Sequence, residues 1–221
     1  MKKHLQITDF EKQESFLQVN TIKGFKYIDR AGELVNFFHS PDNKPPKFNM
    51  NMQGLVLSAP EPGIQEFKIS PDNIWMKGDP KLDAIHTIST FNEKALAVLK
   101  ILEVNEISRI GWRTVFSYLF DDEEKLKAFF NKLLQIPGIG ESEIHAKLET
   151  GKDFKAHLRF FPAVKASDNK KFLIFDIDVY KEGSALKVSD LKPSLTSFWD
   201  YIKSPDGFFR TVNGFAEKFN G

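Results

Sequence analysis

The chain is expected to fold as an α+β protein, with mostly antiparallel sheet and helices packed on one face. Three observations carry that expectation. The stretch from Ile107 to Phe120 alternates with the two-residue period of a strand, with Ile110, Trp112, Phe116, Tyr118 and Phe120 on one side. The stretch after it switches to the helical period, with Leu126, Phe129, Phe130, Leu133 and Leu134 on one stripe. The first 80 residues, in contrast, are short β-rich runs cut by turns containing Pro and Gly. The 221 residues read as a single domain, 1–221. Two similar halves, 1–120 and 121–221, are the alternative division, because each contains strands followed by helix.

From the N-terminus, strands are predicted at Ser15 to Ile22, Phe25 to Ile28 and Leu34 to Phe38, with Arg30 to Glu33 as a turn. Asp42-Asn-Lys-Pro-Pro-Lys47 reads as a loop, since proline removes donors and favours extended backbone. Gly54 to Ser58, Gln65 to Ile69 and Ile74 to Met76 are further strands, separated by turns at Pro60 to Gly63 and Ser70 to Asn73. A helix starts at Asp79 or Asp83 and runs to Leu102, its predicted stripe being Leu82, Ile85, Ile88, Ala95, Leu96, Leu99 and Leu102. His86 on that helix has no ligand partner at i+3 or i+4 and reads as a solvated or hydrogen-bonded residue.

The strand 107–120 is followed by a helix over 121–135, with Asp121 as N-cap and Glu124 completing a capping box. Its acidic first turn suits the positive end of the helix dipole, so it is a helix start and not a metal site. Strands are predicted at 154–161, with Phe154, Ala156, Leu158 and Phe160 inward, and at 172–180, with Leu173, Phe175, Ile177 and Val179 inward. The tail is two helices. Leu191, Leu195, Phe198, Trp199 and Ile202 form one stripe; Phe208, Val212, Phe215 and Phe219 form the next, after a break at Ser204-Pro-Asp-Gly207.

Composition removes several function classes. There are no cysteines, which excludes disulfides, thiolate metal sites and cysteine nucleophiles. A formal charge of +1 argues against a polyanion-binding surface over the whole molecule, though not against a local patch. No apolar run is long enough to span a bilayer and the N-terminus has no apolar signal region, so no membrane association and a cytoplasmic location are expected. No Gly-x-Ser-x-Gly elbow and no Walker or Rossmann glycine loop occurs. No cofactor is predicted.

Three constellations remain. On the predicted strand 107–120, Arg109 and Arg113 share the face opposite the apolar one and flank Gly111, about 13 Å apart at ~3.3 Å per residue. Guanidinium forks with a bare position between them suit an anionic group or a partner's carboxylate. The plainer reading pairs both arginines with acidic residues of neighbouring strands, such as Asp176 or Asp178. Those two aspartates form the second constellation. At i, i+2 on a strand face expected to be exposed, they could hold a divalent cation, as in metal-dependent enzymes. The Gly-Ser and histidine companions of nucleotidyltransferase and primase patterns are missing from the required places.

The third is Pro137-Gly-Ile-Gly140, which resembles the turn of helix-hairpin-helix modules. The resemblance implies sequence-nonspecific DNA binding through the amides of Gly138 and Gly140, with Lys147 as a phosphate contact. Ile144 departs from the alanine preferred there. Against it, Ile144, Ala146 and Leu148 alternate with Glu143, His145 and Lys147, which predicts a strand at 143–148 hairpinned to 154–161. The conformation of 136–148 separates the two readings.

A wider resemblance rests on Ser70-Pro-Asp72, the helix around Leu82 to Leu102, and Arg109-Ile-Gly-Trp-Arg113. These resemble a sporadically distributed family of uncharacterised prokaryotic proteins with an Arg-Ile-Gly-x-Arg strand. Thr114-Val-Phe-Ser117 departs from the aromatic and asparagine with which that family continues the strand. The resemblance covers the middle third of the chain and implies no activity. The function expected is a non-catalytic binding or interaction protein, for an unknown protein or a small anionic ligand. DNA binding at the Pro-Gly-Ile-Gly turn and metal-dependent catalysis at Asp176 and Asp178 are the alternatives.

Overall fold

The computed structural model describes residues 6–21, 26–39, 47–119, 124, 143–148, 150–164 and 171–219. The expected class is observed: α+β, antiparallel sheet with helices packed against it. The strands are β1 (Glu11–Thr21), β2 (Lys47–Asn51), β3 (Gly54–Glu61), β4 (Ile64–Ile69), β5 (Asn73–Gly78), β6 (Glu106–Leu119), β7 (Ile144–Leu148), β8 (Lys155–Val164) and β9 (Lys171–Lys187). The helices are α1 (Lys26–Asp29), α2 (Ala31–Phe37), α3 (Ala84–Ile101), α4 (Leu191–Lys203) and α5 (Phe208–Phe219). None of the described helices is long and apolar enough to cross a membrane. The chain divides into two compact units, Glu14–Arg113 with Tyr180–Phe198, and Met1–Gln13 with Thr114–Val179 and Trp199–Gly221.

In the unit built on 14–113, the hydrogen-bonded strand order is β2-β3-β4-β5-β1-β6-β9. Register gives each strand two faces. Leu17 lies opposite Met76 and Val19 opposite Ile74, all fully buried, whereas Phe16 lies opposite Lys77 and Gln18 opposite Trp75. The buried face continues through Phe67 and Ile69 to Leu55 and Leu57. On β6 it is the even positions Ile110 and Trp112 that are buried, as the alternation predicts.

Helix α3 covers that face. Asp83 caps it by accepting the backbone N–H of His86 at 2.9 Å, and its second oxygen meets the His86 ring. The other end closes with Glu103 in the left-handed region, φ +54. There the Val104 N–H reaches the Leu99 carbonyl at 2.8 Å and the Glu103 N–H the Lys100 carbonyl at 3.0 Å, a Schellman closure. The buried stripe is Ala84, Thr87, Phe91, Ala95, Val98 and Leu99, which shares Ala95 and Leu99 with the predicted one but is rotated in its first half, where Ile85 is 68% exposed. The rotation has a physical cause. Phe91 packs on Trp112 with ring centroids 5.8 Å apart, and the helix approaches β5 so closely that a Cβ on Gly78 would meet Thr87 at 2.9 Å.

Two predicted strands are helices. Residues 26–29 and 31–37 form α1 and α2, and Arg30 is the N-cap of α2, not a turn between strands. Buried Tyr27, Leu34 and Phe38 recur at spacings of seven and four, a helical face; Phe38 packs on Phe67 at 4.6 Å. Strand β2, for which no strand was predicted, follows the predicted loop and pairs with β3.

In the other unit the strand order is β6-β9-β8-β7. Residues 144–148 are extended and pair antiparallel with 156–160, from Ile144 opposite Phe160 to Leu148 opposite Ala156, as the alternation predicts. The inward residues of β8 and β9 are those expected, with Ala156, Leu158, Phe160, Leu173, Phe175, Ile177 and Val179 all buried. Phe10 gathers Phe116, Tyr118, Phe175 and Phe209 within 6.5 Å of its ring. Between α4 and α5 the chain turns at Gly207, where a Cβ would lie 2.1 Å from the Tyr201 carbonyl oxygen, so only glycine fits. The helix predicted over 121–135 falls outside the described residues save for Glu124, as do Gly138, Gly140 and the side chains of Phe215 and Phe219.

Candidate anion-binding face along strand β6

Strand alternation sends Arg109, Gly111 and Arg113 to the face of β6 opposite Ile110 and Trp112. Arg109 sits over the ring of Tyr180 in β9, its guanidinium carbon 3.8 Å from the ring centroid. Its Nη1 is 3.8 Å from a carboxylate oxygen of Glu182, a long ion pair. Tyr180 is itself buried. Gly111 is buried too: a Cβ there would find Arg109 Nε at 3.5 Å and Tyr180 Cβ at 3.7 Å. The space that the glycine leaves is thus lined by the arginine and the tyrosine.

Arg113 is exposed, with its guanidinium carbon 5.5 Å from the ring centroid of Phe16 in β1. Phe16 stacks on Trp75 of β5 at 5.2 Å, and Lys77 brings its Nζ to 5.6 Å from the same ring. The stack is a diagonal cross-strand pair, since Phe16 faces Lys77 and Trp75 is two residues away. Lys77 also bonds Glu14. Each contact of a cation with a ring is worth about 0.5–1 kcal/mol when exposed. Its larger effect is positional. A guanidinium held against a ring loses part of its freedom, and its fork of N–H donors matches a carboxylate or phosphate. Tyr180, Phe16, Trp75 and Lys77 were not singled out from the sequence, because their partners lie on strands that only the sheet register brings alongside.

The aspartate pair is corrected in one respect. Asp176 is buried, not exposed, with Arg159 Nη2 3.0 Å from its Oδ2. Arg159 also approaches Glu143 through Nε at 3.2 Å and lies over Phe161 at 5.1 Å. Asp178 is half-buried. Among the described residues there is no group of three or more His, Asp or Glu side chains that could hold a metal ion.

Lys147 stands exposed on β7 opposite His157. A helix-hairpin-helix module needs a helix after its turn, and 144–148 is a strand. Gly138 and Gly140 themselves lie outside the described residues.

A cavity of about 410 Å³ opens between the end of β1, α1 and the end of α3. Tyr27, Ile69, Ile74 and Leu102 form its apolar lining. On its rim Glu103 accepts from Lys26 at 2.9 Å and from Arg30 at 2.8 Å. Lys26, with Arg30 behind it, holds the Glu103 carboxyl below the usual carboxylate range. The chain matches no family model, and the curated proteins contain none similar to it.

Proposed function

We propose that the protein is a non-catalytic binding protein, and that the face of β6 bearing Arg109, Gly111 and Arg113 takes an anionic group of its partner. The observation that carries this reading is the stacking of Arg109 on Tyr180, 3.8 Å from guanidinium to ring. Stacking lowers the rotameric freedom lost on binding, and so favours capture of a carboxylate or phosphate over a wandering surface cation. Arg113, exposed over the buried ring of Phe16 and with half-buried Trp75 nearby, supplies the second positive group. Glu182 and Glu14 lie within the same patch. They would favour a ligand with one or two negative groups over a polyanion.

The test compares wild type with Arg109→Ala and Arg113→Ala, both in binding to immobilised acidic peptides and phosphate-bearing small molecules and in thermal melting. A charge-assisted hydrogen bond is worth about 1.5–3 kcal/mol. Loss of either arginine should thus weaken binding by at least about tenfold, with Arg113→Ala melting close to wild type. Binding that persists in both variants overturns the proposal.

A further inference from the structure

Three of the five large apolar side chains left exposed among the described residues sit together: Phe48 at 60%, Met50 at 43% and Met52 at 69%. They alternate along and just beyond β2, so they share one face. Register identifies it: Phe48 lies opposite Leu57 and Met50 opposite Leu55, and both leucines are fully buried. The apolar face that packs under the helices therefore continues onto β2 and is left open there. Looseness is not the reason. The Tyr27 hydroxyl donates to the Met52 carbonyl at 3.0 Å, and the Gln53 N–H is taken by Asn51 Oδ1 at 2.8 Å.

β2 is also the end of its strand order, with β3 as its neighbour on one side. Edge strands are usually blunted by shortness, by charge, lysine above all, by proline or by a bulge, and β2 has its one lysine at its first residue. Lys47-Phe-Asn-Met-Asn51 has no proline and no acid, and its register with β3 is unbroken.

We infer that β2 pairs antiparallel with β2 of a second copy of this chain, about a two-fold axis at Asn49. The strand is self-complementary in that register. Phe48 meets Met50 of the other copy twice over, a thioether against a ring, which is a favourable contact. Asn49 faces its own copy, and amides can donate and accept to one another. Lys47, the only charge in the strand, falls opposite Asn51 and away from the other Lys47. A two-fold axis normal to the sheet keeps both open apolar faces on the same side, so each copy extends the other's core. Five paired residues bury less than the ~1,200 Å² of a standard interface. The dimer is accordingly weak, and association is read at about 1–100 µM protein rather than at nanomolar concentration.

Sedimentation velocity over that range tests this, with melting curves confirming that each variant folds. Wild type should shift from monomer toward dimer as concentration rises. Met50→Lys should weaken association at least about tenfold, since it places a charge in the apolar seam. Asn49→Asp leaves the apolar face intact but sets two like charges on the axis, so it should also weaken association. Mixing Asn49→Asp with Asn49→Lys should restore it. A wild type that stays monomeric at 100 µM overturns the inference. So does a dimer indifferent to Met50→Lys and Asn49→Asp, or a mixture of the two Asn49 variants that fails to re-associate.

Discussion

Glycines show at the residue scale how differently one residue type is used. At Gly111 an added methyl group finds ordinary contact distances, 3.5 Å to Arg109 and 3.7 Å to Tyr180. At Gly207 it would stand 2.1 Å from a main-chain oxygen that cannot swing aside. Gly111→Ala should therefore be neutral or stabilising by up to about 0.5 kcal/mol, because alanine restricts the unfolded chain. Gly207→Ala should cost about 1–3 kcal/mol, as overpacking does. Chemical denaturation of the two variants checks both, and a large loss at Gly111 would mean that the β6 face tolerates no added volume. Arg109 belongs to the same scale. Its contact with Tyr180 gives it a fixed direction that the sequence, with the two residues far apart, does not reveal.

At the element scale α3 is the instructive case, because its extent was legible and its buried side only in part. Ala95, Leu99 and Leu102 are buried as predicted, and Ile85 is not. The Ile85 side chain points to solvent while Phe91 lies against Trp112. Ile85→Lys should therefore change stability by no more than about 0.5 kcal/mol. Phe91→Ala should remove about 3–5 kcal/mol through lost burial and the cavity left behind. The reverse order in urea unfolding would restore the stripe that periodicity alone suggests. The C-terminal closure of the same helix gives a pH effect. The Glu103 carboxyl titrates below its ordinary value of 4.5 because Lys26 and Arg30 favour its charged form. A depressed carboxyl stabilises the fold above its unfolded value, and that contribution fades as pH falls from about 4.5 through the lower folded value. Glu103 is exposed, so the effect is small. Wild type should melt above Glu103→Gln at pH 7, and the two should converge on acidification; melting curves recorded from pH 7 to pH 3 show whether they do.

Across the whole molecule the order of elements recurs. β1 is followed by helices and by the run β2-β3-β4-β5, whose last strand pairs back with β1, and α3 closes the sequence. β6 is followed by β7-β8-β9, whose last strand neighbours β6, and α4 and α5 close it. The recurrence begins at β1 and at β6. In the first run β2 is additional, and it is this extra strand that carries Phe48 and Met50 outward. A net charge of +1 leaves little long-range repulsion between copies, which suits a surface that associates through apolar contact.

The sequence by itself determined the elements whose information is local. β6, β8 and β9 as far as Tyr180 follow from alternation, though β9 runs on to Lys187, and α4 follows from a stripe at helical spacing. The hairpin of 144–148 with 156–160 follows from period, whereas the helix start was left between Asp79 and Asp83 and the structure sets it at Asp83. Only the tertiary structure decided what depends on a distant neighbour. Residues 26–38 became helical because Tyr27, Leu34 and Phe38 found an apolar sheet face to cover, although their composition suits a strand equally well. Phe91 turned inward because Trp112 and Gly78 offered it a seat, which rotated Ile85 into water. Asp176 was buried because Arg159 stood on the strand beside it. Periodicity states which residues share a face, but which face is covered, and by what, is fixed by strand register and close packing between segments far apart in the chain.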